Sequence, residues 1–270
     1  MSQNTDAVRL LAMDVGTQSV RAIVFDLQGN IVAKSQIPIQ PYVSPQPGWA
    51  EQDPLLYWDS LGTACTELWD AGVDPSMIDS VALTTQRATM CYLDAAGVPL
   101  RPAIVWLDQR AADTSKPMTG SWAAMFKLLD LFGLKLSETI DTFRGEADSL
   151  WVAQQQPEIW ARTEKYCGLS GFLNFKLCGD FVDSVGSQVG YLPFDYKSQQ
   201  WAGPKSWHWQ ALPIQASQLP RLVPVSERLG AISAEAAQHL GLSEGTPVIA
   251  AAADKACEVL GAGCVEPDEA

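Results

Sequence analysis

Two carboxylates in this chain stand where apolar runs end, and the ends of strands are where α/β proteins keep their ligands. Asp14 closes the run Arg9-Leu-Leu-Ala-Met and is followed by Gly-Thr-Gln-Ser and a second apolar run that carries Arg21. In such a turn Gly16 lets backbone N–H groups approach an anion. Thr17 and Ser19 add hydroxyls, Gln18 lies between them, and Arg21 can supply a charge-assisted bond to a phosphoryl group. Asp14 is placed to hold Mg²⁺ through water, the way that ion prefers. The bland alternative is an ordinary β-turn with incidental polar residues, and the segment is neither a Walker loop nor a dinucleotide fingerprint.

The second carboxylate is Asp254, at the end of Thr246-Pro-Val-Ile-Ala-Ala-Ala-Ala-Asp. A carboxylate there can accept the proton of a hydroxyl that attacks a γ-phosphoryl group; the alternative is a helix N-cap after the strand. Between the two lie Gln86 and Arg87, directly after an apolar run, and Trp106 and Asp108 in Trp-Leu-Asp-Gln-Arg. Amide, guanidinium, indole and carboxylate groups suit a polyhydroxylated ligand whose carbon face lies on a ring. An ordinary surface network with Trp106 in the core is the competing reading. Glu51 and Asp53 are further acidic candidates, Asp53 more naturally as a helix cap. One element would hold phosphates and the other take a proton, which together suggest phosphoryl transfer.

These residues need a scaffold, and the bulk numbers allow one. The 270 residues are 47% hydrophobic and 18% charged, a globular composition large enough for a substantial core. A net charge of −13 argues against a sequence-independent nucleic-acid surface, which needs clustered Lys and Arg. Six widely spaced cysteines and two histidines form no metal-ligand spacing and read as reduced core residues. The polar N-terminus and the lack of an apolar run near ~20 residues imply a soluble, cytoplasmic protein with no membrane contact.

Val8 to Met13, Arg21 to Asp26 and Asn30 to Ile37 read as an antiparallel meander. Asp53 to Ala71 reads as a helix, with Asp53 as N-cap, Pro54 at the first helical position and Leu56, Leu61, Cys65 and Leu68 at helical spacing. Strands are expected over Ile78 to Thr84, Met90 to Asp94, Ala103 to Trp106 and 246 to 253, and a helix over Ser233 to Leu240. The interval 110–215 reads as a mostly helical, Trp-rich insertion on a mixed α/β sheet.

In this order the motifs resemble the FGGY family of carbohydrate kinases. The resemblance runs from Asp14-Val-Gly-Thr-Gln-Ser-Val-Arg through Gly48-Trp-Ala-Glu-Gln-Asp-Pro, Thr85-Gln-Arg and Pro102-Ala-Ile-Val-Trp-Leu-Asp-Gln-Arg. It continues through Pro157-Glu-Ile-Trp and Leu173-Asn-Phe-Lys-Leu-Cys-Gly-Asp-Phe to Ala253-Asp-Lys and Leu260-Gly-Ala-Gly. It implies an actin-like ATPase (ribonuclease H-type) domain, with flanking helices and the helical insertion, over residues 1–265. It further implies ATP-dependent transfer to a sugar or polyol hydroxyl, with Asp254 as base and Asp14 near Mg²⁺. Gly16, Thr17, Gln18, Ser19 and Arg21 would lie along the ATP phosphates, and Gln86, Arg87, Trp106 and Asp108 would serve the sugar.

The chain departs from the family pattern at several points. Ala88 stands where glycerol kinase carries a glutamate, and Lys255 where it carries a glutamine. The Gln-Met-His-Gly of xylulokinase-like proteins is absent, and a family lysine is replaced by Asp148, ahead of Trp151. These departures point to a polyol or ketose other than glycerol. Residues 266–270 read as the start of a linker to a C-terminal ATP-binding domain, without which turnover should be poor. A non-catalytic sugar-binding module derived from such a kinase is the alternative, and homodimerisation is left open.

Overall fold

A computed structural model describes residues 8–264; the polar N-terminal start and the linker-like tail expected from sequence lie outside the described residues. The chain opens with β1 (Arg9–Val15), β2 (Ser19–Phe25) and β3 (Ile31–Pro38), then β4 (Glu51–Gln52), α1 (Pro54–Asp70), β5 (Ile78–Thr85), β6 (Met90–Leu93) and β7 (Ala103–Ile104). Four helices follow: α2 (Ser121–Asp130), α3 (Leu136–Gly145), α4 (Asp148–Gln155) and α5 (Pro157–Arg162). Then come β8 (Lys165–Gly168), α6 (Leu169–Cys178), β9 (Val182–Ser184), β10 (Phe194–Asp195), β11 (Gln200–Trp201) and α7 (His208–Ala211). The last elements are β12 (Arg221–Val223), β13 (Arg228–Ala231), α8 (Ala234–Leu240), β14 (Pro247–Ile249) and α9 (Asp254–Gly261).

The main sheet has the order β13-β14-β5-β1-β2-β3. Its meander β1–β2–β3 is antiparallel, as its turn signals predict, while β1, β5 and β14 run parallel. Parallel neighbours place their carboxyl ends on one rim, so Val15, Thr85 and the residues after Ile249 emerge together. Alternation along β1 sends Leu11, Met13 and Val15 into the core and leaves Asp14 on the other face. At the edge of the sheet, β3 exposes Ile31 and Val32, with Lys34 and Pro38 further along the same strand.

Helix α1 starts as its sequence dictates: Asp53 accepts a bond from Leu55 N at 2.9 Å and Pro54 opens the first turn. Its buried stripe, including Tyr57, Trp58, Leu61, Cys65 and Leu68, packs over β2 and β3. Helices α6 and α8 lie beside it, joined by Trp69 Nε1 to Leu240 O (2.8 Å) and by His239 stacked on Trp58 at 4.5 Å.

A second core carries much of the tryptophan. It packs α2 to α5 against the small sheet β4-β7-β6-β8 through Phe126, Ile140, Trp151, Val152 and Tyr166. The interval 110–215 is therefore not one helical block. After the lobe of α2–α5 the chain returns through β8, α6 and β9, and α6 buries Leu169, Phe172, Leu173 and Leu177 in the main core. The expected strand 246–253 is also shorter, because only Pro247–Ile249 joins the ladder. All six cysteines are free. No described helix is long and apolar enough to cross a membrane.

Leu61 is fully buried between α1 and the sheet. Leu61→Ala should cost about 2–5 kcal/mol in urea unfolding; a loss under about 1 kcal/mol would contradict this packing.

Candidate active site

The rim of the parallel strands opens into a cleft of about 510 Å³ lined by Thr17, Gln86, Arg87, Ala88, Trp106, Val189, Gly190, Asp254 and Lys255. Residues from all three chemically suggestive segments meet there. Gln86 follows β5, its N–H bonded to Val15 O (2.9 Å), and its side chain is a buried hub. Its Oε1 accepts from Thr17 Oγ1 (2.5 Å), and its Nε2 donates to the hydroxyl of the buried Tyr57 (2.9 Å). Burial pushes the Tyr57 phenol well above its ordinary range, against the opposing pull of the Gln86 bond, so it stays neutral. Trp106 closes the line, donating Nε1–H to Thr17 Oγ1 at 3.0 Å while 53% of the residue stays exposed. An indole held at its N–H with its ring open offers a flat apolar wall fixed in direction.

Asp254 is the first residue of α9, preceded by Ala253 as N-cap, so it is neither a strand residue nor the cap itself. Its Oδ1 accepts from Lys255 N (2.8 Å) and lies 3.9 Å from Arg87 Nε. The first turn of a helix favours negative charge, and the side chain keeps access to the cleft. Lys255 turns its ammonium to Glu258 (2.6 Å), whose hydrogen bond raises the lysine pKa.

The turn after Asp14 differs in detail from its sequence reading. Gly16 N closes the turn onto Ser19 O at 3.0 Å, so it is not a donor for a ligand. Ser19 is buried beside β3, where its Oγ accepts from Gln36 Nε2 (3.2 Å), because strand alternation turns it away from the rim. Thr17 and the exposed Gln18 have N–H groups that donate to no described residue, which leaves two donors available to an anion. Asp14 and Arg21 are cross-strand partners joined at 2.5 Å. Neither lines the cleft, though both remain partly exposed beside Thr17. Among the described residues no three His, Cys, Asp or Glu side chains gather as a metal cluster. One carboxylate with an oxygen to spare still suits an ion that keeps most of its water.

Asp108, expected to bind substrate, is instead structural. Its carboxylate accepts from Ala50 N (2.6 Å), Arg110 N (2.8 Å), Arg110 Nε (2.7 Å) and Arg110 Nη2 (2.6 Å), and none of it reaches the cleft. What it does is fix the loop that presents Trp106. Glu51 is consumed likewise, between Arg101 and Arg110. Arg110 lies 4.0 Å from the ring centre of Trp49 and 4.6 Å from that of Trp151. Beside this cluster, burial and then the Asp108 charge push the Asp148 carboxyl up to about 7, against Arg110 and Arg101.

Ala88, Val189, Gly190 and Lys255 complete the cleft without having been singled out as site residues. The available signals were weak: a departure from a family pattern at 88 and 255, and a glycine at 190. In the structure Ala88 and Gly190 are both at positive φ, 54° and 91°, and a Cβ on Gly190 would come 3.6 Å from that of Ala88. Gly190 also borders a second cleft of about 400 Å³, with Phe143, Phe194, Tyr196 and His208 in its lining.

Residues 9–261 match the family profile described as FGGY family of carbohydrate kinases, N-terminal domain. A glycerol kinase of a Polaromonas species is 31% identical over 238 residues, 85% of this chain and 46% of that protein. A xylulose kinase of Lactococcus lactis is 26% identical over 267 residues, 96% of this chain and 50% of that protein. The crystal structure of a xylulose kinase from Rhodospirillum rubrum superposes with a TM-score of 0.78 at 27% identity, over 96% of this chain and 52% of that one. A Plasmodium falciparum glycerol kinase solved with ADP shares the fold, with a TM-score of 0.72 at 20% identity over 94% of this chain and 50% of that one. The chain spans about half the length of the curated relatives it matches.

Because the folded Asp148 carboxyl titrates near 7 and an unfolded one near 3.8, the folded state binds the extra proton between those values. Stability from this group is therefore present at low pH and lost as pH rises through about 7. Asp148→Asn should flatten the decline of Tm from pH 5 to pH 8 relative to the parent chain; parallel curves would show that the carboxyl titrates normally.

Proposed function

The chain belongs to the FGGY family of carbohydrate kinases, and on that premise we propose that it carries the carbohydrate-binding and proton-accepting half of an ATP-dependent kinase. The observation that carries this reading is the convergence of Thr17, Gln86, Arg87, Trp106 and Asp254 on one cleft at the rim of an actin-like domain. A pocket for a polyol alone would need hydroxyl partners and a ring; it would not need a carboxylate with an open oxygen at the start of α9 beside unpaired turn N–H groups.

The acceptor lies with its carbon face against Trp106 and its hydroxyls toward Arg87 and the remaining N–H of Gln86. The reacting hydroxyl passes its proton to the Asp254 carboxylate as its oxygen bonds to the γ-phosphorus. The bond from that phosphorus to the β–γ bridging oxygen breaks, and ADP leaves with the electron pair. Thr17 and Gln18 N–H groups, with Arg21, face the phosphate side. Asp14 would hold Mg²⁺ through water, and the ion would neutralise charge on the phosphates. The small side of the cleft, Ala88 and Gly190, favours a polyol or ketose larger than glycerol. Adenosine would be held by a second domain, so this chain alone should turn over poorly.

Thermal unfolding with glycerol, pentitols, ketopentoses, ketohexoses and aldonates, with and without Mg-ATP, tests the pocket. One polyol or ketose should stabilise the chain by about 2.7 kcal/mol at a hundredfold excess over Kd. Trp106→Ala and Gln86→Ala should abolish that shift. With an ATP-binding half present, Asp254→Asn should keep carbohydrate affinity and lower phosphoryl transfer by about 10²–10⁴-fold. Transfer that survives this substitution would show that Asp254 is not the base, whereas carbohydrate binding with no transfer by the parent protein would leave only a carbohydrate-binding module.

A further inference from the structure

After Ile249 the chain leaves the ladder, so sheet pairing does not hold the residues that lead into Asp254. Contacts from elsewhere do. Thr84 Oγ1 donates to Ala252 O (2.8 Å), Ser184 Oγ donates to Ala251 O, and Ala253 N donates to Gly186 O (3.1 Å). Two of these come from one tight turn, Val185–Ser187, and from Ser184, which ends β9 and caps it. Gly186 sits so close that a Cβ on it would stand 2.8 Å from Ala252 Cβ. The same turn runs on through Gln188 to Val189 and Gly190, which line the cleft together with Asp254.

The turn is gripped from below by Asp183, a carboxylate with 0% exposure. Its Oδ1 accepts from Asn174 Nδ2 (2.9 Å) and Ser184 N (2.8 Å), and its Oδ2 from Ser170 Oγ (2.8 Å) and Gln188 Nε2 (2.7 Å). Gln188 Nε2 also donates to Ser184 O (2.8 Å), so both ends of the turn are tied to one group. No Lys, Arg or His of the described residues pairs with Asp183, and burying a carboxylate without a cation is costly. An asparagine would substitute poorly, since its single NH2 group would face either Asn174 Nδ2 and Ser184 N, in place of Oδ1, or Gln188 Nε2, in place of Oδ2.

We propose that Asp183 is a positioning residue for the phosphoryl-acceptor site, setting through the 184–188 turn both the place of Asp254 and the Val189–Gly190 wall. The inference rests on the reading of the cleft given above. The groups around Asp183 are Ser170 and Asn174 of α6, Cys167 of β8, Gln188 of the turn and Leu222, its register partner on β12. Arg228, on the neighbouring β13, is exposed and turned to Gly230 O. Burial pushes the Asp183 carboxyl up to about 6 against its four hydrogen bonds, and it raises the Cys167 thiol as well, which stays protonated.

In the isotope-labelled chain, the Asp183 carboxyl carbon and the amides of Val189, Gly190 and Lys255 can be followed by NMR from pH 5 to 8. The same titration is repeated with the polyol or ketose that gives the thermal shift. The three amides should move with the carboxyl's midpoint, and affinity should fall about tenfold on its acid side. Asp183→Asn should remove the midpoint from the amides and hold affinity at the low value throughout. Gln188→Ala, which keeps the carboxylate and deletes one donor, should move carboxyl and amide midpoints upward together, and it decides the matter if Asp183→Asn does not fold. A titrating Asp183 with stationary amides and constant affinity overturns the proposal. Amides that track Asp183 in a chain that binds no carbohydrate support the positioning role and overturn only the functional reading.

Discussion

Parallel pairing of β5 with both β1 and β14 is the constraint on which the site depends. Parallel strands point their carboxyl ends the same way, so segments that are far apart in sequence arrive at one rim without any need for attraction between them. Thr17 and Gln86 meet there at hydrogen-bond distance, and Asp254 arrives from the third strand. The antiparallel meander then brings Arg21 opposite Asp14, so one edge of that rim gains a cation as a matter of register. Helices α1, α6 and α8 supply the apolar layer that makes this sheet worth forming.

Placement at a rim is not the same as precision, and precision here comes from buried polar groups. Asp108, Glu51 and Asp183 are carboxylates outside the cleft lining, each held by at least one partner from a distant segment. Such groups add little net stability and impose strong directionality, because any shift breaks a bond that water cannot replace. Asp108 fixes the loop of Trp106; Asp183 fixes the turn beside Asp254. The two walls of the cleft are thus held by separate networks in separate cores, and one can loosen without the other.

Local chemistry was readable in the sequence, and long-range partnership was not. Asp53 and Pro54 announced the start of α1, and Gly241, at positive φ, ends α8 as a helix C-cap should. Thr17, Gln86, Arg87, Trp106 and Asp254, picked out by type and by their place after apolar runs, line one cleft. Asp108 was misread because one of its donors, Ala50, is 58 residues away. Ser19 was misread because a turn residue and the first residue of a strand look alike until alternation is known. The expectation for 110–215 missed that α6 packs in the main core, because burial on most of its sides leaves it little helical periodicity. Asp183 gave no local sign, since Ser170 and Asn174 approach it from another element.

Strand β3 ends the main sheet, and an outermost strand presents backbone groups that could template the addition of another chain. Its exposed Ile31 and Val32 would invite such addition. The strand answers with a charged side chain at Lys34, and Pro38, which has no N–H to offer, sits at its far end. A copy approaching edge-on also carries the same net charge of −13. Growth of the sheet from molecule to molecule is thus resisted at short range by a missing donor and at long range by like charge, and the two barriers respond differently to salt: added electrolyte removes the second and leaves the first in place.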